Sequence, residues 1–241
     1  MPNLSNELVE EFCSYCIWVN EIWKVKRIIY DDNPKLDLLF SKSRFPFLLC
    51  DLGIITKDFI LQAVIKIHDP AMDNRGNSNL TLDYMIQYGD WDKHTRTRLA
   101  RIRAILDKLA EPLKAARNKI LAHRDIQTIE VGKPLGSFGK IRSTRYFNLL
   151  QIFVNIVGEK KGKGIYPFNN AMPINDARAF LELIILDTEE RRILGWPEEF
   201  ASAPEELDRL RKKVYALSLK KREYEKALYD LLVSVKSKGT R

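Results

Sequence analysis

Apolar residues recur at helical spacing near the start of the chain. Over residues 6–30 they return every three or four positions, which predicts a long amphipathic helix. The turn-forming run 31–34 ends in Pro34 and should stop this helix. A second apolar stretch, residues 47–67, follows Pro46, which is tolerated in a first helical turn, and this stretch predicts a buried helix.

The middle of the chain alternates turn-forming and helix-forming segments. The polar run 73–79 predicts a loop, and a short helix is expected over residues 80–87. Residues 91–124 are rich in strong helix formers, but they include Pro112, which has no backbone N–H to donate. Pro112 should therefore kink this segment or divide it into two helices, and we expect two helices that meet near Glu111.

The following segments continue the helical pattern. Residues 126–142 contain three glycines and one proline, which predicts a loop or a small hairpin. Further helices are expected over residues 143–157 and 175–193, separated by a basic loop over 158–170. Because strand-like segments are scarce, the expected fold class is all-α, with residues 1–195 forming one helical domain.

A last helix is predicted over residues 204–235. Its apolar residues follow alternating three- and four-residue steps, which is the heptad pattern of a helix that packs along a narrow seam. The flanking charges permit two parallel copies to pair, with Glu206 facing Arg211. Packing of this helix on its own bundle is the alternative. Residues 196–241 are therefore expected to form a separate amphipathic and basic element, used for dimerisation or for packing.

Charge and composition narrow the choice of partner and compartment. The 241 residues carry a net charge of +8, which favours an anionic partner such as nucleic acid or a membrane surface. Three cysteines cannot form a complete disulfide framework and indicate a reducing compartment. The N-terminal residues lack a signal-peptide pattern, and no apolar run approaches the roughly 20 residues that cross a bilayer. A cytoplasmic protein without a membrane partner is expected.

The most informative polar residues lie in the segment 113–125. The guanidinium of Arg117 can neutralise a phosphate through two hydrogen bonds, and the imidazole of His123 can exchange a proton near pH 7. These two groups suit phosphodiester chemistry. On an ideal helix they point about 120° apart, so a single helix does not form a compact pair, and a second copy could complete the site.

Three ordered blocks of sequence carry a resemblance to a known family. They are Asp69-Pro70-Ala71, Asn79-Leu80-Thr81-Leu82 and Arg117-Asn118-Lys119-Ile120-Leu121-Ala122-His123-Arg124-Asp125. The last block matches the mark of the HEPN (higher eukaryote and prokaryote nucleotide-binding) superfamily, an arginine, often an asparagine after it, and a histidine after four to six intervening residues. Over residues 5–190 the chain resembles the abortive-infection AbiU-like branch of that superfamily.

This resemblance implies a fold, an activity and partners. The fold would be an up-and-down helical bundle, commonly dimeric. Many members are metal-independent endoribonucleases with toxin or antiphage roles, which makes RNA the expected substrate and an antitoxin protein a further partner. Other members have lost catalysis and bind RNA, a nucleotide or a partner protein, and such a binding module is the alternative. No cofactor and no metal are expected.

The same resemblance suggests roles for three residues. His123 would act as general base toward a ribose 2′-hydroxyl or as general acid toward the leaving 5′-oxygen. Arg117 would stabilise charge on the phosphoryl oxygens, and Asn118 would orient the phosphate or the imidazole. The structural alternative is that Arg117 and His123 only satisfy carbonyl groups and the dipole at a helix C-terminus. The chain would then be an interaction protein assembled through its last helix.

Other charged residues are candidate supports of such a site. Asp125 can bind His123 or Arg124, or it can simply close the turn. A solvated surface is the alternative explanation for each of the basic residues that are candidate RNA contacts. These are Lys119, Arg124, Lys160, Lys161 and Lys163.

The remaining cysteines and histidines are expected to be structural. Cys13 and Cys16 have the spacing of a metal or redox pair, but the sequence has no second such pair, so two core cysteines are expected. His68 is expected to cap its helix or to bond a loop, and His94 is expected at the surface.

Overall fold

The computed structural model describes residues 4–116, 138–166, Phe168 and 171–195, together with seven positions between 212 and 226. The described residues form seven α-helices and contain no β-strand, so the protein is all-α, as predicted. The helices are α1 (Asn6–Lys26), α2 (Leu36–Lys42), α3 (Pro46–Ile67), α4 (Leu82–Tyr88), α5 (Lys93–Ala116), α6 (Lys140–Lys160) and α7 (Ala171–Gly195).

The first helix confirms the hydrophobic pattern. It begins at Asn6, just after Ser5, whose hydroxyl accepts a hydrogen bond from the N–H of Leu8 (3.3 Å). A π-helical turn, Arg27–Asp31, follows α1 directly and brings the helical segment to the predicted stop. The short helix α2 was not predicted, because its N-cap residue, Lys35, makes no capping hydrogen bond and gives no start signal in the sequence.

The apolar helix α3 has the predicted bounds, but the prediction that it is buried holds only for its second half. Its later residues, including Ile60, Val64 and Ile67, are buried. Large apolar side chains in its first half, such as Phe47 and Ile55, are exposed. The hydrophobic pattern predicted the helix correctly, but it did not indicate which turns of the helix are buried by tertiary packing.

The prediction of two helices meeting near Glu111 is wrong, because α5 runs without a break through Pro112. A proline inside a helix removes one hydrogen bond and crowds the preceding turn. Burial on both sides of Pro112 offsets this cost, since Ala110 and Leu113 are completely buried.

The polar run 73–79 forms the predicted loop, closed by a single bridge between Met72 and Ser78. The Asp73 carboxylate accepts hydrogen bonds from the backbone N–H groups of Arg75 and Asn77 (2.8 Å each) and from the side-chain amide of Asn77 (2.9 Å). These bonds, those of Asn77 first, lower the pKa of Asp73. Gly76 has φ of 83°, a conformation that favours glycine.

The chain divides into two compact units. The first comprises Met1–Lys26 and Gly53–Ile174, and the second comprises Arg27–Leu52 and Asn175–Arg241. In the first unit, α1 and α5 pack against α6, and α4 packs against α5. Aromatic rings join α1 to α6: Trp23 stacks on Phe147 with ring centroids 4.5 Å apart, and Phe12 meets Phe153 edge-on.

In the second unit, Leu39 is buried and two ion pairs join residues that are distant in the sequence. Lys35 pairs with Glu189, and Arg44 pairs with Asp187 (3.1 Å). The α7 helix starts four residues before its predicted start, and α6 also exceeds its predicted length at both ends. None of the described helices combines the length and apolar character that a membrane crossing requires.

The C-terminal segment is described at seven positions only. These positions are helical and exposed: Lys212, Tyr215, Ala216, Leu219, Arg222, Glu223 and Lys226. The apolar residues of the predicted heptad seam lie outside the described residues. The long helix over 204–235 and the domain boundary at residue 195 therefore stay predictions.

Candidate functional site

The arginine–histidine segment starts one residue after the end of α5. Ala116 is the last residue of that helix, and Arg117 follows it in the sequence. The predicted site residues of this segment lie outside the described residues: Arg117, Asn118, Lys119, His123, Arg124 and Asp125. What the structure does describe is the helix that leads to them and the surface around it.

The α5 helix is capped at its start and packed along its length. At its start, the Asp92 carboxylate accepts hydrogen bonds from the backbone N–H (2.8 Å) and the hydroxyl (2.7 Å) of Thr95. These two bonds, with a smaller contribution from Lys160, hold the pKa of Asp92 well below its usual range. Along its length, Leu99, Leu106 and Leu113 are fully buried. The helix that precedes Arg117 is therefore firmly anchored.

A buried polar cluster crosses the middle of α5. The His68 ring is completely buried, with Nδ1 2.7 Å from a carboxylate oxygen of Asp107 and Nε2 3.0 Å from the hydroxyl of Tyr146. A carboxylate only accepts, so Nδ1 donates to Asp107. The prediction that His68 caps a helix or bonds a loop is wrong, because its ring bonds two side chains distant in sequence.

The cluster continues from Asp107 to the surface. Arg103 lies one turn before Asp107 on α5 and pairs with Asp83 of α4 (2.5 Å). This cluster thus connects four helices. It runs from Tyr146 on α6 through His68 at the end of α3 to Asp107 and Arg103 on α5, and then to Asp83 on α4. Burial raises the pKa of the Tyr146 phenol well above its ordinary value. The completely buried Tyr146 phenol and His68 ring cannot reach a substrate, so these two side chains serve to position helices.

The three lysines predicted as RNA contacts at the end of α6 and just after it bind other groups of the protein. Lys160 pairs with Asp92 (Nζ to Oδ2, 3.0 Å), and Lys163 pairs with Glu10. The Nζ of Lys161 lies 5.6 Å from the ring centroid of Trp91 and donates to the backbone carbonyl of Leu4 (3.4 Å). A phosphate approaching Lys160 or Lys163 would compete with a carboxylate already in place.

A different basic surface, which the sequence analysis missed, lies on α5. Its exposed residues Lys93, Arg98 and Arg101 lie on the side of the helix away from Leu99 and Leu106. We call these three residues the α5 basic face. The signal was present in the sequence, because residues 93–106 contain five lysines and arginines and no acid.

The remaining cysteines and histidines agree with the sequence analysis. Cys13 and Cys16 are completely buried without a disulfide, and His94 is exposed, as predicted. Burial raises the pKa of the Cys13 thiol to about 12. Within the described ranges, no group of three or more His, Cys, Asp or Glu side chains is placed to hold a metal ion.

Comparisons of the chain with protein-family models, with curated proteins and with solved structures gave no match. The function is therefore inferred from the residues of this chain.

Proposed function

We propose that this protein is a cytoplasmic, metal-independent endoribonuclease of the HEPN type, acting as a toxin or antiphage abortive-infection effector. The observation that carries the proposal is the ordered set of three sequence blocks that ends in Arg117, Asn118 and His123. An all-α first unit supports it, because the family resemblance implies a helical bundle. The anchored helix α5, which ends one residue before Arg117, gives such a segment a rigid base.

The proposed reaction is an intramolecular transesterification of RNA. The ribose 2′-oxygen forms a bond to phosphorus while the bond from phosphorus to the 5′-oxygen breaks. One proton leaves the 2′-hydroxyl, and another reaches the leaving 5′-oxygen. The products are a 2′,3′-cyclic phosphate and a free 5′-hydroxyl. DNA resists this reaction because it has no 2′-hydroxyl.

Each residue of the arginine–histidine pattern takes one role in this reaction. His123 transfers one of the two protons. Arg117 stabilises the negative charge that builds on the phosphoryl oxygens, and Asn118 orients the phosphate or the imidazole. Since one histidine serves one proton at a time, a homodimer that brings two copies of His123 together completes the acid–base pair. Such a dimer has twice the 28.1 kDa mass of the chain, which light scattering measures.

The test is cleavage of mixed cellular RNA in the presence of a chelator, followed by identification of the product ends. We expect the wild-type protein to cut and to leave cyclic-phosphate ends. The His123→Ala and Arg117→Ala variants should each lose about 10²–10⁴-fold in rate. Arg142→Ala is the matched control, since Arg142 is an exposed arginine of α6 outside the proposed site.

Three outcomes would overturn the proposed activity. Cleavage that survives in the His123→Ala variant would identify a contaminating nuclease or a different site. Binding of RNA without cleavage, equal in the wild-type and His123→Ala proteins, would assign the chain to the non-catalytic class of binding modules. Loss of activity in Arg142→Ala would show that general charge, and not the arginine–histidine pair, is responsible.

A further inference from the structure

We propose that the α5 basic face, formed by Lys93, Arg98 and Arg101, binds the phosphate backbone of RNA. The choice of RNA as the polyanion rests on the proposed function, because α5 leads directly to Arg117. The charges, the ion pairing and the shape of α5 support the binding surface itself.

The charges of this face are not neutralised by the described part of the chain. Among the arginines of α5, Arg96 donates to the carbonyl of Gly89 (3.2 Å), and Arg103 is paired with Asp83. Lys93, Arg98 and Arg101 have no ion pair with any described residue. They differ in this respect from Lys160 and Lys163, whose charges are offset by carboxylates.

The shape of the surface allows a chain to lie along it. An open groove of about 690 Å³ is bordered by Lys93, His94, Thr97, Arg98 and Arg101. A neighbouring groove extends along the same helix over the small side chains of Ala100 and Ala104. Small side chains between basic residues let a phosphate backbone approach the helix closely.

The length of the surface fits a short stretch of nucleic acid. Lys93 and Arg101 are eight residues apart, which is about 12 Å along a helix axis. At a rise of about 3.4 Å per nucleotide, this distance spans about three phosphates of a stacked strand. Three cations that have no ion pair with the described residues therefore match a short polyanionic segment. A free phosphate or an acidic side chain would cover only part of this surface.

A membrane surface is a poorer match. A helix that lies on a membrane needs large apolar side chains beside its cationic residues. Of the large apolar residues of α5 near the basic face, Leu99 and Ile102 point into the protein core and are buried, and only Ile105 is exposed, which is too little apolar surface for a membrane-bound helix. The exposed positions between 93 and 104 are basic, polar or alanine.

The test measures RNA binding in the full-length His123→Ala protein, so that cleavage does not interfere. The probe is a fluorescein-labelled single-stranded RNA of about 20 nucleotides, followed by anisotropy from about 50 to 200 mM salt. Adding Arg98→Gln and Arg101→Gln should weaken binding about tenfold. It should also reduce the slope of log K against log salt by about 1.4, the value for two lost phosphate contacts on a single strand.

The matched control is the pair Arg142→Gln and Arg145→Gln on α6. These residues are exposed and have the same three-residue spacing, so the pair removes the same charge from a different helix. The control variant should have the same RNA affinity and the same salt slope as the His123→Ala protein without further changes. Circular dichroism melting of all variants checks that each one folds.

The outcomes separate this proposal from the proposed activity. Unchanged binding in the α5 variant, or equal weakening in both pairs, would overturn the basic-face proposal even if the wild-type protein cuts RNA. Selective weakening in the α5 variant would support it even if the wild-type protein cuts nothing. Binding to vesicles of phosphatidylserine and phosphatidylcholine, with no binding to RNA, would assign the face to a membrane surface and overturn the proposal.

Discussion

The hydroxyl of Tyr146 lies 3.0 Å from Nε2 of His68, although 78 residues separate them in the sequence. Both side chains are completely buried, and the other ring nitrogen of His68 is bonded to Asp107. In the protein interior, no water is available to replace a hydrogen-bond partner that a buried polar group has lost. This contact should therefore be one of the more sensitive polar contacts of the first unit.

A double-mutant cycle measures the contact between His68 and Tyr146. Tyr146→Phe should lower the free energy of unfolding by about 1–3 kcal/mol, because it leaves Nε2 of His68 without its partner. In a His68→Ala background the same change should cost much less, since the hydroxyl has already lost its partner there. Equal costs in the two backgrounds would show that the contact does not stabilise the fold.

Tyr84→Phe is the control for this cycle. Tyr84 is also buried in the first unit, and its hydroxyl has no hydrogen bond to the described residues. Removing this hydroxyl should change the free energy of unfolding by less than about 0.5 kcal/mol. Chemical denaturation monitored by tryptophan fluorescence gives all of these values.

The three thiols should differ in reactivity. Iodoacetamide at pH 8 should label Cys50, which is exposed, and spare Cys13 and Cys16, which are buried. Burial raises the pKa of Cys13 to about 12 and that of Cys16 well above its ordinary value, so little thiolate forms. Mass spectrometry should find one adduct on the folded chain and three after denaturation. Labelling of Cys13 in the folded chain would contradict this burial.

The same thiols predict a loss of stability in alkali. A raised pKa in the folded state means that the unfolded chain releases its thiol protons first, at about pH 9. The contribution to stability is therefore complete below pH 9 and is lost as pH rises toward 12. A Cys13→Ala variant should lose less free energy of unfolding over this range than the wild-type protein. Parallel pH curves for the two proteins would rule out this linkage.

Asp92 predicts a loss of stability in acid. Its pKa is lowered in the folded state, so its contribution is present above the unfolded pKa near 3.8 and is lost as pH falls below that value. Asp92→Asn should lower the melting temperature at pH 7, and the difference from wild type should shrink as the pH falls below about 4. Asp90→Asn, two residues earlier and also exposed, is the control and should leave the melting curve unchanged.

The close contact of Gly89 with Trp91 predicts a packing defect on substitution. A Cβ atom at Gly89 would lie 2.0 Å from the Trp91 ring, which is held in place by a hydrogen bond from its Nε1 to the carbonyl of Met85 (2.7 Å). Gly89→Ala should lower the free energy of unfolding by about 1–3 kcal/mol. Gly139→Ala, where a Cβ meets open space, should cost less. A Gly89→Ala variant as stable as wild type would show that Trp91 can move freely.

Helix positions could be predicted from the sequence because they depend on local spacing. The start of α1, the bounds of α3 and the loop over 73–79 followed from apolar periodicity and turn residues. The break at Pro112 was predicted wrongly, because helix continuity there depends on tertiary packing and not on local spacing. A proline lowers local helix stability, but α5 is held on both sides of Pro112 by buried neighbours that are distant in sequence.

The candidate functional residues also divide into those that the sequence identifies and those that only the structure identifies. The arginine–histidine spacing and the family resemblance are properties of the sequence, and they stand as its predictions about Arg117 and His123. Only the tertiary structure showed that Lys160 and Lys163 face carboxylates, while Lys93, Arg98 and Arg101 face none among the described residues. The sequence determined where helices form and how many charges they carry. The tertiary structure decided which charges and which histidine are paired, because those pairs join residues far apart in the chain and depend on how the helices pack.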